Sequence, residues 1–226
     1  MLFWKKKQQE KEIDLTFEER VELTLVDARA IENDVKTLVN IALKNGYKSI
    51  CVASSQVLFA NNYIGEKSKL DSLSVVAVVG FPLGNTKTQV KVEETRWAVA
   101  DGASEIAFVV NIGKIKEGDY GFVKNEMSRL VRISKGRKVT AIIETCYLTR
   151  EEIKNVCKSA LRAKVDCIQT STGFGTNGAT AEDIQLIAEL VKGKCDIKAT
   201  GGIKTRAMAE EMIRAGADKI GTSRVL

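Results

Sequence analysis

The chain has 226 residues, 44% hydrophobic and 28% charged, with one proline, five cysteines, no histidine and a formal charge of +6. That size and balance suit a single globular core, and no apolar run approaches the roughly 20 residues that span a bilayer. Without histidine, imidazole acid–base chemistry, the Ser-His-Asp triad and histidine-bearing metal sites are excluded.

Taken in chain order, residues 1–11 hold Lys5, Lys6, Lys7 and Lys11 against Glu10, so residues 12–226 keep only +3. The lysines follow a short apolar stub, the reverse of a signal peptide, so a cytoplasmic location is expected. A lysine cluster can meet nucleic acid or an anionic membrane. At a terminus it is expected instead to be a solvated tail, with neither nucleic acid nor membrane as partner. Beyond it, nearly continuous apolar runs predict parallel strands covered on both sides at 48–53, 74–79, 105–111, 139–143, 166–170 and 219–222. Between them lie helical patterns. Thr149 with Glu152 forms a capping box, and Ile153, Val156, Cys157, Ala160 and Leu161 make one apolar stripe. Trp97 falls in a second such segment, where it is expected to pack in the outer layer.

A helix-exit phrase recurs at 42–50, 98–106 and 213–220, each with a glycine where a left-handed cap is needed. A fourth copy at 160–168 has Lys164 instead of glycine. The copies, marked by Gly46, Gly102, Lys164 and Gly216, lie 56, 62 and 52 residues apart, or about two βα units each. Eight such units predict an α/β fold: a (β/α)8 TIM barrel forming a single domain over residues 12–226, with no linker inside it.

In such barrels the chemistry sits at the C-terminal ends of the strands, and phosphate is often held by the last two exits. Gly201 and Gly202, followed by Gly221, Thr222 and Ser223, supply glycine-rich exits there. Thr172 and Gly173 lie in a third exit, 171–178, which reads either as a plain connection or as a loop covering substrate. The expected partner is therefore a small phosphorylated ligand, with homo-oligomerisation left open. Cys51, Cys146, Cys157, Cys167 and Cys195 show no C-x-x-C spacing, which predicts free thiols, no disulfide framework and no metal. Glu144 ends a strand, either as a hydrogen-bonding group near the site or as a structural anchor.

Six phrases in order, 79–86, 110–113, 142–148, 170–176, 198–203 and 221–223, resemble those of the deoxyribose-phosphate aldolase family over about two thirds of the chain. The resemblance implies a (β/α)8 barrel that cleaves 2-deoxyribose 5-phosphate to acetaldehyde and glyceraldehyde 3-phosphate through a lysine Schiff base, with no metal or organic cofactor. It also implies departures. Gln169 stands at the position of the Schiff-base lysine, Ala107 at that of a proton-relaying aspartate, and Glu22 at that of an early aspartate, while the second active-site lysine is kept as Lys198.

These losses have one physical sense. An amide nitrogen cannot form an imine, and without a cationic neighbour at 169 Lys198 is expected to stay protonated. Three readings follow: a barrel that binds a sugar phosphate with aldolase activity lost, an aldolase whose imine forms on Lys198, or a non-catalytic scaffold for protein contact.

Overall fold

The computed structural model describes residues 15–67 and 72–226, so the basic segment 1–11 lies outside the described residues. Eight parallel strands close into a barrel in chain order: β1 (Val21–Leu25), β2 (Ser49–Ala53), β3 (Ser74–Val79), β4 (Glu105–Val109), β5 (Lys138–Ile142), β6 (Cys167–Gln169), β7 (Asp196–Thr200) and β8 (Lys219–Thr222). Pairing of β8 with β1, Gly221 opposite Glu22, seals the ring. Helices α1 (Glu32–Lys44), α2 (Val57–Lys67), α3 (Thr88–Ala100), α4 (Tyr120–Ile133), α5 (Arg150–Ala163), α6 (Ala181–Val191) and α7 (Arg206–Ala215) follow the first seven strands in turn. The fold is a TIM barrel, as the repeat spacing predicts. Beyond β8, Leu226 donates its N–H to the Tyr47 hydroxyl at 3.1 Å.

Strand alternation divides the core in two. Outward residues such as Ile50, Val75, Ile106, Phe108, Ile168 and Ile220 pack beneath the helices in one apolar layer. The inward set is mixed. Cys51, Val76, Val78, Ala107, Val109 and Ile142 make an apolar wall on β2–β5, whereas β6–β8 and β1 turn Gln169, Lys198, Thr200, Lys219 and Glu22 inward.

Local signals explain the helix boundaries. Thr149 caps α5 with its side chain accepting from Glu152 N–H, and the Glu152 carboxylate returns the bond to the cap backbone. The stripe Ile153, Val156, Cys157 and Ala160 is buried, with Leu161 at its margin. All four helix exits are left-handed: φ is +74° at Gly46, +94° at Gly102, +62° at Lys164 and +116° at Gly216. The conformation is therefore set by the return into the next strand, and a lysine tolerates it at some strain.

Trp97 corrects one expectation: it is 70% exposed and does not pack in the outer layer. The inward stripe of α3 runs through Thr88, Lys91, Val92, Thr95 and Ala98, which turns position 97 to solvent. Sequence reading missed this because a lysine occupies the stripe. The buried Lys91 ammonium is satisfied by Glu126 at 2.9 Å and by the Val109 carbonyl at 2.8 Å.

Candidate active site

Inward-facing positions two residues apart along β1, β4, β7 and β8 place four charges inside the barrel, where each needs a partner. Lys198 Nζ donates to Glu22 Oε2 at 2.7 Å and to Glu105 Oε1 at 2.9 Å. Lys219 Nζ donates to Glu105 Oε2 at 3.2 Å, and the Thr140 hydroxyl donates to Glu105 Oε1 at 2.6 Å. Burial alone would pull the Lys198 ammonium down, but the Glu105 and Glu22 carboxylates outweigh it and hold the group well above the ordinary lysine value. Burial would likewise raise Glu105, yet Lys198 and Lys219 keep it below the usual carboxylate range.

Above this charged layer a cavity of about 660 Å³ opens at the C-terminal ends of the strands. Its lining includes Glu22, Thr24, Cys51, Gln169 and Thr200, and its rim is formed by Thr172, Gly173, Phe174, Gly201, Gly202, Lys204, Gly221, Thr222, Ser223 and Arg224. The structure therefore gathers the residues expected to bind phosphate around one opening, with Gln169 and Glu22 inside it. Two expected site residues lie apart from that opening. Lys198 is fully buried beneath it, although its Cα pairs in register with that of Gln169. Ala107 sits in the apolar wall, 1% exposed.

The loop 171–178 is held on both sides. Gly201 and Gly178 meet backbone to backbone: a Cβ on Gly178 would lie 2.1 Å from the Gly201 carbonyl, a Cβ on Gly201 2.9 Å from Gly178 Cα. Across the loop, Glu144 accepts from the Thr172 N–H at 3.2 Å and from its hydroxyl. Glu144 is thus a loop anchor beside the cavity. Phe174 closes one flank, its ring edge-on to Phe81 with centroids 5.4 Å apart.

These bonds sort the phosphate candidates. The N–H and hydroxyl of Thr172 are engaged with Glu144, and the Thr222 hydroxyl donates to the Ile203 carbonyl at 2.9 Å. Neither side chain has a proton left for an anion. Among the described residues, no hydrogen bond reaches the N–H groups of Gly173, Gly202 or Ser223. Those amides, with the cationic Lys204 and Arg224 on the rim, are the available donors. Gln169 cannot act as a nucleophile; its Nε2 donates to the Ser171 carbonyl at 2.9 Å. The Cys51 thiol is pushed well up, by burial first and by Glu22 next.

Comparison with known proteins bears on this arrangement. The family model for DeoC/LacD family aldolases matches residues 13–155. The chain belongs to that family. A deoxyribose-phosphate aldolase of Thermococcus kodakarensis is 44% identical over 205 residues, covering 90% of this chain and 91% of that protein. Another, of Thermococcus gammatolerans, is 47% identical over 196 residues, covering 86% of each. Among solved structures, QR15, an aldolase, superposes with a TM-score of 0.87 at 36% identity, covering 92% of each chain.

Sequence reading missed Glu105, Lys219 and Lys204. The first two open strands that were recognised, and their charges pass for the usual polar strand edge. A signal was present: Glu105 precedes Ala107 by two residues and Lys219 precedes Gly221 by two, so each shares the inward face of its neighbour.

Proposed function

We propose that this family member binds a small sugar phosphate or related phosphorylated molecule at the barrel mouth and has lost aldol cleavage. One observation carries the reading: Lys198, the amine retained at a family active-site position, is clamped between Glu22 and Glu105 beneath the cavity floor. Imine formation needs a neutral amine within reach of the carbonyl. Even at the ordinary lysine pKa of about 10.4, only about one amine in 2,500 is neutral at pH 7, and the two carboxylates lower that share further. Ligand binding is supported by the free amides of Gly173, Gly202 and Ser223 beside Lys204 and Arg224.

The relatives' names favour the competing reading, an active aldolase with its imine on Lys198. Two measurements decide between them. Incubation with acetaldehyde and borohydride, followed by intact mass, should give no adduct, and 2-deoxyribose 5-phosphate should raise the melting temperature. A reduced adduct mapped to Lys198 would overturn the loss of activity. Absence of any thermal shift with either 2-deoxyribose 5-phosphate or inorganic phosphate would leave the scaffold reading.

A further inference from the structure

The face of the barrel opposite the mouth concentrates charge. Lys135 and Arg137 precede β5 and Lys138 opens it, Arg162 ends α5 and Lys164 follows in the exit to β6, and the turn before β7 carries Lys192 and Lys194. Against these seven cations stand Asp166 and Asp196. Three short segments on adjacent units thus hold a net +5, where the whole chain has +6. All seven cations are exposed, and among the described residues none of their ammonium or guanidinium groups has an ion-pair or hydrogen-bond partner; the bonds that Arg137, Lys164, Lys192 and Lys194 make are those of their backbone N–H. Elsewhere exposed cations are divided: Lys116 pairs with Glu152 at 2.8 Å and Arg206 with Glu18 at 3.1 Å, whereas Lys44, Lys87 and Arg214 stand exposed and more widely scattered along the chain. Asp166 is already counted in that net charge, and its Oδ2 is turned to the backbone, accepting the Val139 N–H at 2.8 Å. A groove of about 560 Å³ runs between the segments, lined by Lys138, Arg162, Lys164 and Lys194 together with Asp166 and Asp196, so cations outnumber carboxylates there by four to two.

Helix polarity accounts for only part of this. Cations at helix C-termini are favoured, but the effect fades beyond the last turn. Arg137, Lys138 and Lys194 lie past the helix ends. Moreover, Lys135, Lys164 and Lys192 occupy left-handed positions at φ +50°, +62° and +50°, where the corresponding exits at 46, 102 and 216 use glycine. Cations are kept at a conformational cost in three consecutive units.

We propose that this rear groove binds a chain of linked phosphates lacking bases, as in inorganic polyphosphate. The chemistry of the face selects that class. None of the exposed large hydrophobic or aromatic side chains, such as Trp97, Leu58 or Phe174, belongs to these three segments. Bases would find nothing to stack on, a bilayer nothing to insert, and a protein partner no apolar anchor. Closely spaced point charges facing unpaired ammonium and guanidinium groups are what remains.

The test uses the full chain and end-labelled short-chain polyphosphate, followed by fluorescence anisotropy at low and moderate salt. Binding should be salt-sensitive, and the Lys138→Glu/Lys194→Glu variant should weaken it about tenfold or more. Lys164→Gly, which keeps the left-handed backbone, should weaken it less, while Lys87→Glu, on an exposed position at the start of α3, should not. Orthophosphate and a single-stranded oligonucleotide of equal charge should bind at least about tenfold more weakly. The proposal fails if polyphosphate does not bind at low salt, if Lys87→Glu weakens binding as much as the rear-face variants, or if the oligonucleotide binds as well. Melting curves of each variant separate lost binding from lost folding.

Discussion

Replacing Gln169 by lysine puts an amine where the cavity can reach it, and the structure sets how reactive that amine becomes. Positions 169 and 198 are register partners on neighbouring strands, which places the two ammonium groups about 5 Å apart. At an effective dielectric of about 20, the repulsion is at most about 3 kcal/mol, or roughly 2 pKa units. Glu22 and Glu105 already neutralise part of the Lys198 charge, so the shift falls below that bound. The new lysine is therefore expected to titrate below the ordinary lysine value of about 10.4, adding neutral amine inside a cavity where, among the described residues, Lys204 is the lysine on the rim. The assay is borohydride trapping with acetaldehyde from pH 6 to 9, read by intact mass and peptide mapping. Gln169→Lys should gain one ethyl group at position 169, increasingly as pH rises, and the unaltered chain none. If Gln169→Lys gives no adduct at any pH while remaining folded, the missing amine is not what separates this site from imine chemistry.

Two further outcomes follow from the buried charges. Glu105→Gln removes the carboxylate that holds both Lys198 and Lys219 and should cost about 3–5 kcal/mol of unfolding free energy, measured by urea denaturation. Glu105 is held below its usual value when folded, so its contribution is present above its unfolded pKa of about 4.3 and is lost as pH falls through the folded value. Lys198 is held above its usual value, so its share is present below about 10.4 and is lost as pH rises through the folded one. The gap between the two proteins should therefore be flat near neutrality and narrow steadily below about pH 4; an unchanged gap at pH 3 refutes the assignment. Ala107→Asp puts a carboxylate among Cys51, Val76, Val78, Val109 and Ile142, so alone it should lower stability and yield no cleavage. Combined with Gln169→Lys, it should raise 2-deoxyribose 5-phosphate cleavage by more than the product of the single effects; a merely multiplicative result would count against coupled roles.

The barrel was legible in the sequence because its signals are local and repeated: apolar β-branched runs, the Thr149 capping box, and the left-handed exits marked by Gly46, Gly102, Lys164 and Gly216. The same order of phrases located Gln169, Lys198 and the Gly201 and Gly221 exits. What the sequence did not show depends on closure of the ring. Only when β8 pairs with β1 does Glu22 come within 2.7 Å of Lys198, 176 residues away, and only β4 opposite them brings Glu105 to its other side. A lone carboxylate on a strand reads as an edge, whereas its partner and its charge state are set by contacts distant in sequence. The same holds at the rim, where Glu144 takes the protons of Thr172 and Ile203 that of Thr222. Residue types and spacing determined which groups could act; tertiary pairing decided which of them still have a proton or a lone pair to offer.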